Sequence, residues 1–246
     1  MRAVILIHGF ITGPSDFNPL YKFLYKKYDQ VYKVVLPGHN IGENYKTFNV
    51  NGSFNVVLNA YDELANEHAI IDVIGFSLGG ALATYLASVR KVNKLVLLAP
   101  ANKYLNFSFI RRYLSHLRQF RIRYKILKRK KDPRAKSYLD KLISIKKNNR
   151  ASIKLGFTTL FPHYTIKNIK VFRKIIKRVN KSLAPISAKT LLCWGELDQL
   201  VPYKSLRFIE RYLNDYKEIV YNDLSHLMLS SVNITFLVNN IERFLE

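Results

Sequence analysis

One serine stands between a short apolar run and a stretch of small residues, in the order Gly75-Phe76-Ser77-Leu78-Gly79-Gly80. The run before it, residues 69–74, has the composition of a buried strand, and residues 81–87 have that of a closely packed helix. Because glycines stand two residues before and after the serine, the chain can turn sharply there while other backbone passes close by. The pattern is typical of a nucleophile elbow, which exposes a serine hydroxyl at the start of a helix. A glycine-rich turn with an incidental serine is the alternative.

Short runs rich in valine, isoleucine and leucine alternate with helical patterns along the chain. The runs are almost continuously apolar, which is typical of parallel strands covered by helices on both faces. The predicted strands are residues 3–7, 31–36, 70–75, 94–99, 190–194 and 218–221. The predicted helices are residues 16–28, 53–66, 78–90, 203–213 and 233–245. This order indicates an α/β protein with a doubly wound, mostly parallel central sheet, which binds ligands beyond the carboxyl ends of its strands.

The alternation of strands and helices stops after Pro100. From residue 101 to about residue 183, apolar residues recur every three or four positions, with breaks at Asp132-Pro133 and Phe161-Pro162-His163. We therefore predict a helical cap, residues 101–183, inserted between the two parts of one core, residues 1–100 and 184–246.

The formal net charge of +23 belongs entirely to this predicted cap. Residues 101–183 hold 25 lysines and arginines against two aspartates, whereas the rest of the chain carries 15 basic and 15 acidic residues. Such a local field favours peripheral contact with an anionic membrane surface, where each basic residue contributes about 1 kcal/mol. Plain solvation and phosphate contacts with nucleic acid are alternatives, although the cap has no recognisable nucleic-acid module, so that no specific nucleic acid is expected.

Cysteine content and hydropathy bear on location. Cys193 lies in an apolar run and has no second cysteine with which to form an internal disulfide, which fits a reducing compartment. No apolar stretch approaches the ~20 residues that span a bilayer, and no leader segment precedes the first strand. We expect a cytoplasmic protein that begins at Met1 and that the cap can hold at the inner membrane surface.

A serine hydroxyl becomes a nucleophile when a base takes its proton, and the base in turn needs a carboxylate that fixes its tautomer. Asp198 and His226 each come directly after a predicted strand. Since the carboxyl ends of parallel strands share one edge of the sheet, we expect Ser77, Asp198 and His226 to meet there as nucleophile, acid and base. Their order along the chain is the one expected for this arrangement.

Other residues compete for these roles. Glu196 and Asp223 are alternative acids, but Asp198 is favoured because it follows the strand-end turn and precedes Val-Pro. His39, which follows a predicted strand, either shapes the loop or is an alternative base. The histidines in helical or cap segments suit solvated or substrate-lining roles better, and they are His68, His116 and His163.

A tetrahedral intermediate also needs N–H donors for its oxyanion. The backbone N–H of Leu78, directly after the serine, is one candidate. The loop after the first strand contains Gly9 and Gly13, which permit an unusual backbone path, and we assign the second donor to the Phe10 N–H. The alternative is a glycine-rich turn that only leads into the next helix.

Together these segments resemble the α/β-hydrolase superfamily, and within it the small bacterial carboxylesterases and monoacylglycerol-lipase-like enzymes. The matching pieces are Leu6-Ile7-His8-Gly9-Phe10, Leu36-Pro37-Gly38-His39, the segment from Gly75 to Gly80, Gly195-Glu196-Leu197-Asp198 with Val201-Pro202, and Ser225-His226. They cover the core from end to end, but not the cap. The resemblance implies Ser77, Asp198 and His226 as a triad, with Phe10 and Leu78 as oxyanion donors.

The sequence departs from the family pattern at two positions. Ser225 stands where glycine commonly precedes the histidine, and Lys189 stands near a usual proline. Neither change removes a reacting group. The chain begins at what would be the family's third strand, so a shortened sheet is expected.

The resemblance implies hydrolysis of carboxylic esters, with monoacylglycerol-like or other medium-chain acyl esters as small-molecule substrates, and no metal or organic cofactor. Aromatic residues of the cap would either line the acyl pocket or pack the cap against the core, and they are Phe107, Phe109, Phe120, Phe157 and Phe161. An amidase, peptidase, thioesterase or acyltransferase would use the same triad. A catalytically silent protein that binds acidic partners through the cap is the non-enzymatic alternative.

Overall fold

The computed structural model describes residues 1–40, 43, 45–104, 166–231 and 234–246, together with positions 118, 122, 124–126, 128, 129, 136 and 139. The chain forms two compact units, Met1–Leu105 with Ile166–Glu246, and Asn106–Thr165. The described positions of the second unit are helical. The predicted breaks at residues 132–133 and 161–163, His116 and the five cap phenylalanines lie outside the described residues.

In the described part of the chain, six strands form a single parallel sheet in the order β2-β1-β3-β4-β5-β6. The strands are β1 (Arg2–Ile7), β2 (Gln30–Val34), β3 (Ile70–Phe76), β4 (Lys94–Leu98), β5 (Lys189–Gly195) and β6 (Tyr216–Tyr221). From β1 the chain moves to one edge, and from β3 it moves step by step to the other. The loops after β1 and β3 therefore border the crevice in which such sheets bind ligands. The predicted α/β class and parallel sheet are confirmed.

The main helices of the first unit are α1 (Tyr21–Lys27), α2 (Val50–Ala65), α3 (Leu78–Val89), α4 (Ile166–Ser182), α5 (Lys204–Ile209) and α6 (Thr235–Leu245). Helix α4, which we predicted within the cap, belongs to this first unit. Two predicted helices are shorter as α-helices, because each has a 3-10 turn at one end, Pro14–Leu20 before α1 and Glu210–Tyr212 after α5. Pro19, which has no N–H to donate, explains the first of these turns. No helix of the described residues is long and apolar enough to cross a bilayer.

The second strand ends at Val34, two residues before the predicted end. The N–H of Leu36 donates to Nε2 of His8 at 3.1 Å instead of joining the sheet, and Pro37 has no N–H. The chain therefore leaves the sheet here and runs beside the end of β1.

Helix α3 packs into the interior of the first unit, and nine of its twelve residues are buried. Gly79, Gly80 and Ala81 in its first turn are small, so the helix packs closely against the sheet. The strands below it are covered on both faces, and the five residues from Ala3 to Ile7 are each at most 1% exposed. This close packing fixes the position of Ser77, which begins the helix.

Candidate active site

Ser77 forms the turn between β3 and α3 in a strained backbone conformation, with φ 52° and ψ −113°. Residues other than glycine rarely adopt positive φ, and the cost is about 1–3 kcal/mol. Backbone hydrogen bonds hold the turn: the Ser77 N–H donates to the Leu98 carbonyl at 2.9 Å, and the Ser77 carbonyl accepts from Ala101 at 2.9 Å. The end of β4 therefore fixes the serine in place.

Gly79 brings the first turn of α3 against the end of β1. A Cβ atom at this position would lie 2.0 Å from the carbonyl oxygen of Ile7 and 2.4 Å from that of His8. Only glycine permits such an approach. The serine turn and the loop after β1 are thus in direct backbone contact, which places Leu78 and the Phe10 segment side by side.

Three side chains from different strand ends form a chain of hydrogen bonds. Nε2 of His226 lies 2.9 Å from Oγ of Ser77, and Nδ1 of His226 lies 2.8 Å from Oδ2 of Asp198. Ser77 and His226 are each 8% exposed, and Asp198 is fully buried. With Nδ1–H donating to the carboxylate, Nε2 is left to accept the serine proton. The three residues that we expected to meet at this edge lie together, and their catalytic roles stay predictions.

The second oxygen of Asp198 is also held. Oδ1 accepts the backbone N–H groups of Leu200 and Val201, each at 2.8 Å. These two donors orient the carboxylate and stabilise its charge. Glu196 and Asp223, the alternative acids, are both exposed, whereas Asp198 is the carboxylate bonded to His226.

His39, the alternative base, has a different set of contacts. Its Nδ1–H donates to the Pro37 carbonyl at 3.0 Å, and its Nε2 accepts the N–H of Ile11 at 3.2 Å. Ile11 is a second residue with positive φ, at 76°. His39 therefore holds the strained loop that follows β1, which carries Phe10.

His8 forms the same kind of hydrogen bonds as His39, at a more deeply buried position. Its Nδ1–H donates to the Gly9 carbonyl at 2.7 Å, while Nε2 accepts from Leu36. Burial, with a smaller effect of nearby His39, lowers the pKa of His8 to about 4, and burial also lowers the pKa of His39. Both rings are therefore neutral at neutral pH, as their acceptor nitrogens require.

Asp16 closes the loop from its other side. Its Oδ2 accepts the hydroxyl of Thr12 at 2.5 Å and the N–H of Gly9 at 3.4 Å. Burial raises the pKa of the Asp16 carboxyl. Our sequence analysis considered a loop-shaping role for His39 but did not identify the supporting roles of His8 and Asp16, although both lie within or beside the Gly-rich segment that it singled out.

Aromatic rings from distant segments surround Phe10. Its ring centroid lies 5.4 Å from that of Phe48 and 5.2 Å from that of Phe172 on α4, whose ring in turn meets Tyr104 at 5.1 Å. The loop of the predicted oxyanion donor thus packs against an apolar cluster.

Other reactive groups of the described residues lie elsewhere. His68 is buried beyond the end of α2, with Nδ1 3.3 Å from the Leu64 carbonyl, and His163 lies outside the described residues. Cys193 is fully buried, and burial raises the pKa of its thiol to about 12, so it does not compete with Ser77 as a nucleophile. Among the described residues, no group of three or more potential ligands could hold a metal ion.

Comparisons with known proteins identify the same kind of fold. A family model for the alpha/beta hydrolase fold matches residues 2–230. A comparison with curated protein sequences gives no match. One similar solved structure is described for the metagenome-derived lipolytic enzymes LipS and LipT, with a TM-score of 0.67 and 13% identity, covering 99% of this chain and 93% of that one.

Two further structures show how broadly this fold is used. The monoacylglycerol lipase of Paleococcus ferrophilus has a TM-score of 0.65 and 18% identity, covering 99% of this chain and 93% of that one. A meta-cleavage product hydrolase of Pseudomonas fluorescens has a TM-score of 0.60 and 16% identity, covering 100% of this chain and 90% of that one. At such identities the likeness shows the fold, and the site has to be argued from its own residues.

Proposed function

From the premise that this chain belongs to the α/β-hydrolase family, we propose that it is a serine hydrolase that cleaves carboxylic esters through Ser77, His226 and Asp198. The observation that carries the proposal is the buried chain of hydrogen bonds from the serine hydroxyl to the imidazole and on to the carboxylate. The strained serine turn supports it, because the fold maintains that conformation despite its cost.

In the proposed mechanism, Oγ of Ser77 attacks the ester carbonyl carbon while its proton passes to Nε2 of His226. Asp198 stabilises the resulting imidazolium through Nδ1. The N–H groups of Phe10 and Leu78 stabilise the oxyanion. Collapse of this intermediate expels the alcohol, which takes the proton from His226 and leaves an acyl group on the serine. Water, activated by the same imidazole, then releases the carboxylic acid.

The preferred esters in this proposal are lipid-derived, of the monoacylglycerol-like or medium-chain acyl class. Exposed leucines on the loops that carry the acid and the base support it: Leu197 and Leu200 flank Asp198, and Leu227 follows His226, with exposures of 51%, 59% and 50%. The aromatic cluster around Phe10 is a further apolar surface. The similar solved structures of lipolytic enzymes and of a monoacylglycerol lipase favour the same class.

The test combines covalent labelling with a substrate series. A fluorophosphonate probe is expected to label the native protein on the peptide that contains Ser77, and not the heat-denatured protein. Rates of p-nitrophenyl ester hydrolysis from acetate to palmitate are expected to be highest for a medium-length chain. A matched thioester and an aminoacyl amide are expected to react more slowly than the ester.

The outcomes separate the possible functions. Faster cleavage of the thioester or the amide would retain the triad but reject the ester as the substrate class. Absence of labelling, together with absence of hydrolysis, would reject catalysis and favour the non-enzymatic alternative.

His39 is expected to act as a positioning residue, because its neutral ring holds the loop of one oxyanion donor. The variant His39→Phe keeps a ring but cannot accept the Ile11 N–H, and we expect kcat to fall by about tenfold to a hundredfold with little change in KM. His39→Gln, whose carbonyl can accept that N–H, should recover part of the loss. Steady-state kinetics and thermal unfolding of both variants test this. Lower stability with unchanged kcat would reduce His39 to a structural role.

A further inference from the structure

Helix α4 carries seven basic residues and no acidic residue in its seventeen positions. The basic residues are Lys167, Lys170, Arg173, Lys174, Lys177, Arg178 and Lys181, and all of them are exposed. At 3.6 residues per turn they fall within an arc of about 140° that extends about 21 Å along the helix. The cationic side chains therefore form one continuous surface, the basic face of α4.

The apolar side of α4 is already used by the core. Ile175, Ile176 and Val179 lie on the side opposite the basic face and are at most 2% exposed. The side chain of Asn102 donates to Oδ1 of Asn180 at 3.1 Å, and the side chain of Asn180 donates to the backbone carbonyl of Asn102 at 2.8 Å. These two bonds fix the helix beside the end of β4. The helix is therefore held in one orientation, with its basic face toward solvent.

Most of this positive charge is not neutralised by the described part of the chain. Arg178 donates to the side chain of Asn51 at 2.9 Å and lies over the ring of Phe54. None of the other six basic residues forms an ion pair with a described residue. Beside them, Tyr104, Lys170, Arg173, Lys174 and Lys177 line a groove of about 460 Å³. Such a surface is complementary to closely spaced negative charges.

We propose that the basic face of α4 docks the protein onto an anionic phospholipid bilayer. Two features favour a bilayer over nucleic acid. Ile169, at one edge of the face, is 43% exposed and can enter the interfacial region of a membrane. Tyr104, which lines the groove on the basic face, contacts Phe172 on the core-facing side of the helix. Phe172 in turn contacts Phe10, so two ring contacts link this groove to the candidate active site. The second feature rests on the proposed function, since an acyl ester substrate would be held in the bilayer.

The test is flotation of the full-length protein with vesicles, which does not depend on catalysis. Binding is expected to vesicles of phosphatidylglycerol and phosphatidylcholine, to be weak on phosphatidylcholine alone, and to decrease at high salt. For the triple variant Lys170→Gln, Lys174→Gln, Lys177→Gln, we expect the partition coefficient between vesicles and water to fall about a hundredfold. Each basic residue contributes a factor of about five.

The matched control removes the same charge elsewhere. Lys22, Lys26 and Lys217 are exposed lysines on other elements, and their triple replacement by glutamine should lower binding by much less. Thermal unfolding of both triple variants verifies that they are folded.

Three results would overturn the proposal. The first is an equal loss of vesicle binding in the two triple variants, and the second is binding that does not depend on lipid charge or salt. The third is a helix variant that loses binding to a DNA duplex but still binds vesicles. Charge-dependent binding by a protein without esterase activity would leave the docking surface intact and reject the proposed substrate class. Esterase activity without vesicle binding would do the reverse.

Discussion

Replacement of Ser77 by alanine is expected to lower kcat for p-nitrophenyl esters by about 10⁴-fold or more, because the loss of a triad nucleophile leaves only the oxyanion donors and binding. Among the described residues, the hydroxyl bonds to His226, so its removal disturbs no other side chain in that part of the protein. We therefore expect the variant to remain folded with a similar thermal midpoint of unfolding. Steady-state kinetics should show that ester hydrolysis is lost, and fluorophosphonate labelling should be lost with it.

Ser88→Ala provides the matched control, since Ser88 lies on the same helix and bonds only to the Tyr85 carbonyl among the contacts described. It should retain activity close to the original. Esterase activity of Ser77→Ala near that of the unmodified protein would show that another residue is the nucleophile.

Replacement of Gly79 by alanine is expected to cost at least about 3 kcal/mol in the free energy of unfolding, or to prevent folding, because the new methyl group would overlap rigid backbone. The obstructing atoms are the carbonyl groups of Ile7 and His8, which belong to the end of a central strand and cannot turn aside as a side chain can. Urea unfolding followed by circular dichroism measures the loss, and soluble yield reports a variant that does not fold.

Gly13→Ala is the control for this prediction. No atom of the described residues lies within 4 Å of a Cβ built there, and the backbone is extended at φ −148°, so the change should stay within about 0.5 kcal/mol. A Gly79→Ala protein as stable as Gly13→Ala would show that the elbow can separate from β1.

Much of this architecture was readable from the sequence, because the strands are short, apolar and evenly separated. The segment around Ser77 was especially informative, because its glycines indicated a sharp turn with other backbone close by. Asp198 and His226 could be placed at strand ends, and parallel topology brings strand ends together. The sequence favoured Asp198 over Glu196 and Asp223 because it follows the strand-end turn and precedes Val-Pro, and Asp198 is the carboxylate that bonds to His226.

The support of the loop after β1 was only partly predictable from the sequence. A loop-shaping role for His39 was considered, but its bond with Ile11 joins two segments that lie far apart along the chain. Ile11 gives no sign of positive φ in the sequence, since a branched residue strongly disfavours it. Tertiary contacts impose both features.

The chain leaves the first unit and returns to it at positions that lie close together. Tyr104, one residue before the end of the first part, contacts Phe172 near the start of the second. The two hydrogen bonds between Asn102 and Asn180 hold the same segments together. The core itself therefore closes the gap that Asn106–Thr165 spans. A change in the length of that segment would therefore leave the sheet and the hydrogen bonds among Ser77, His226 and Asp198 in place.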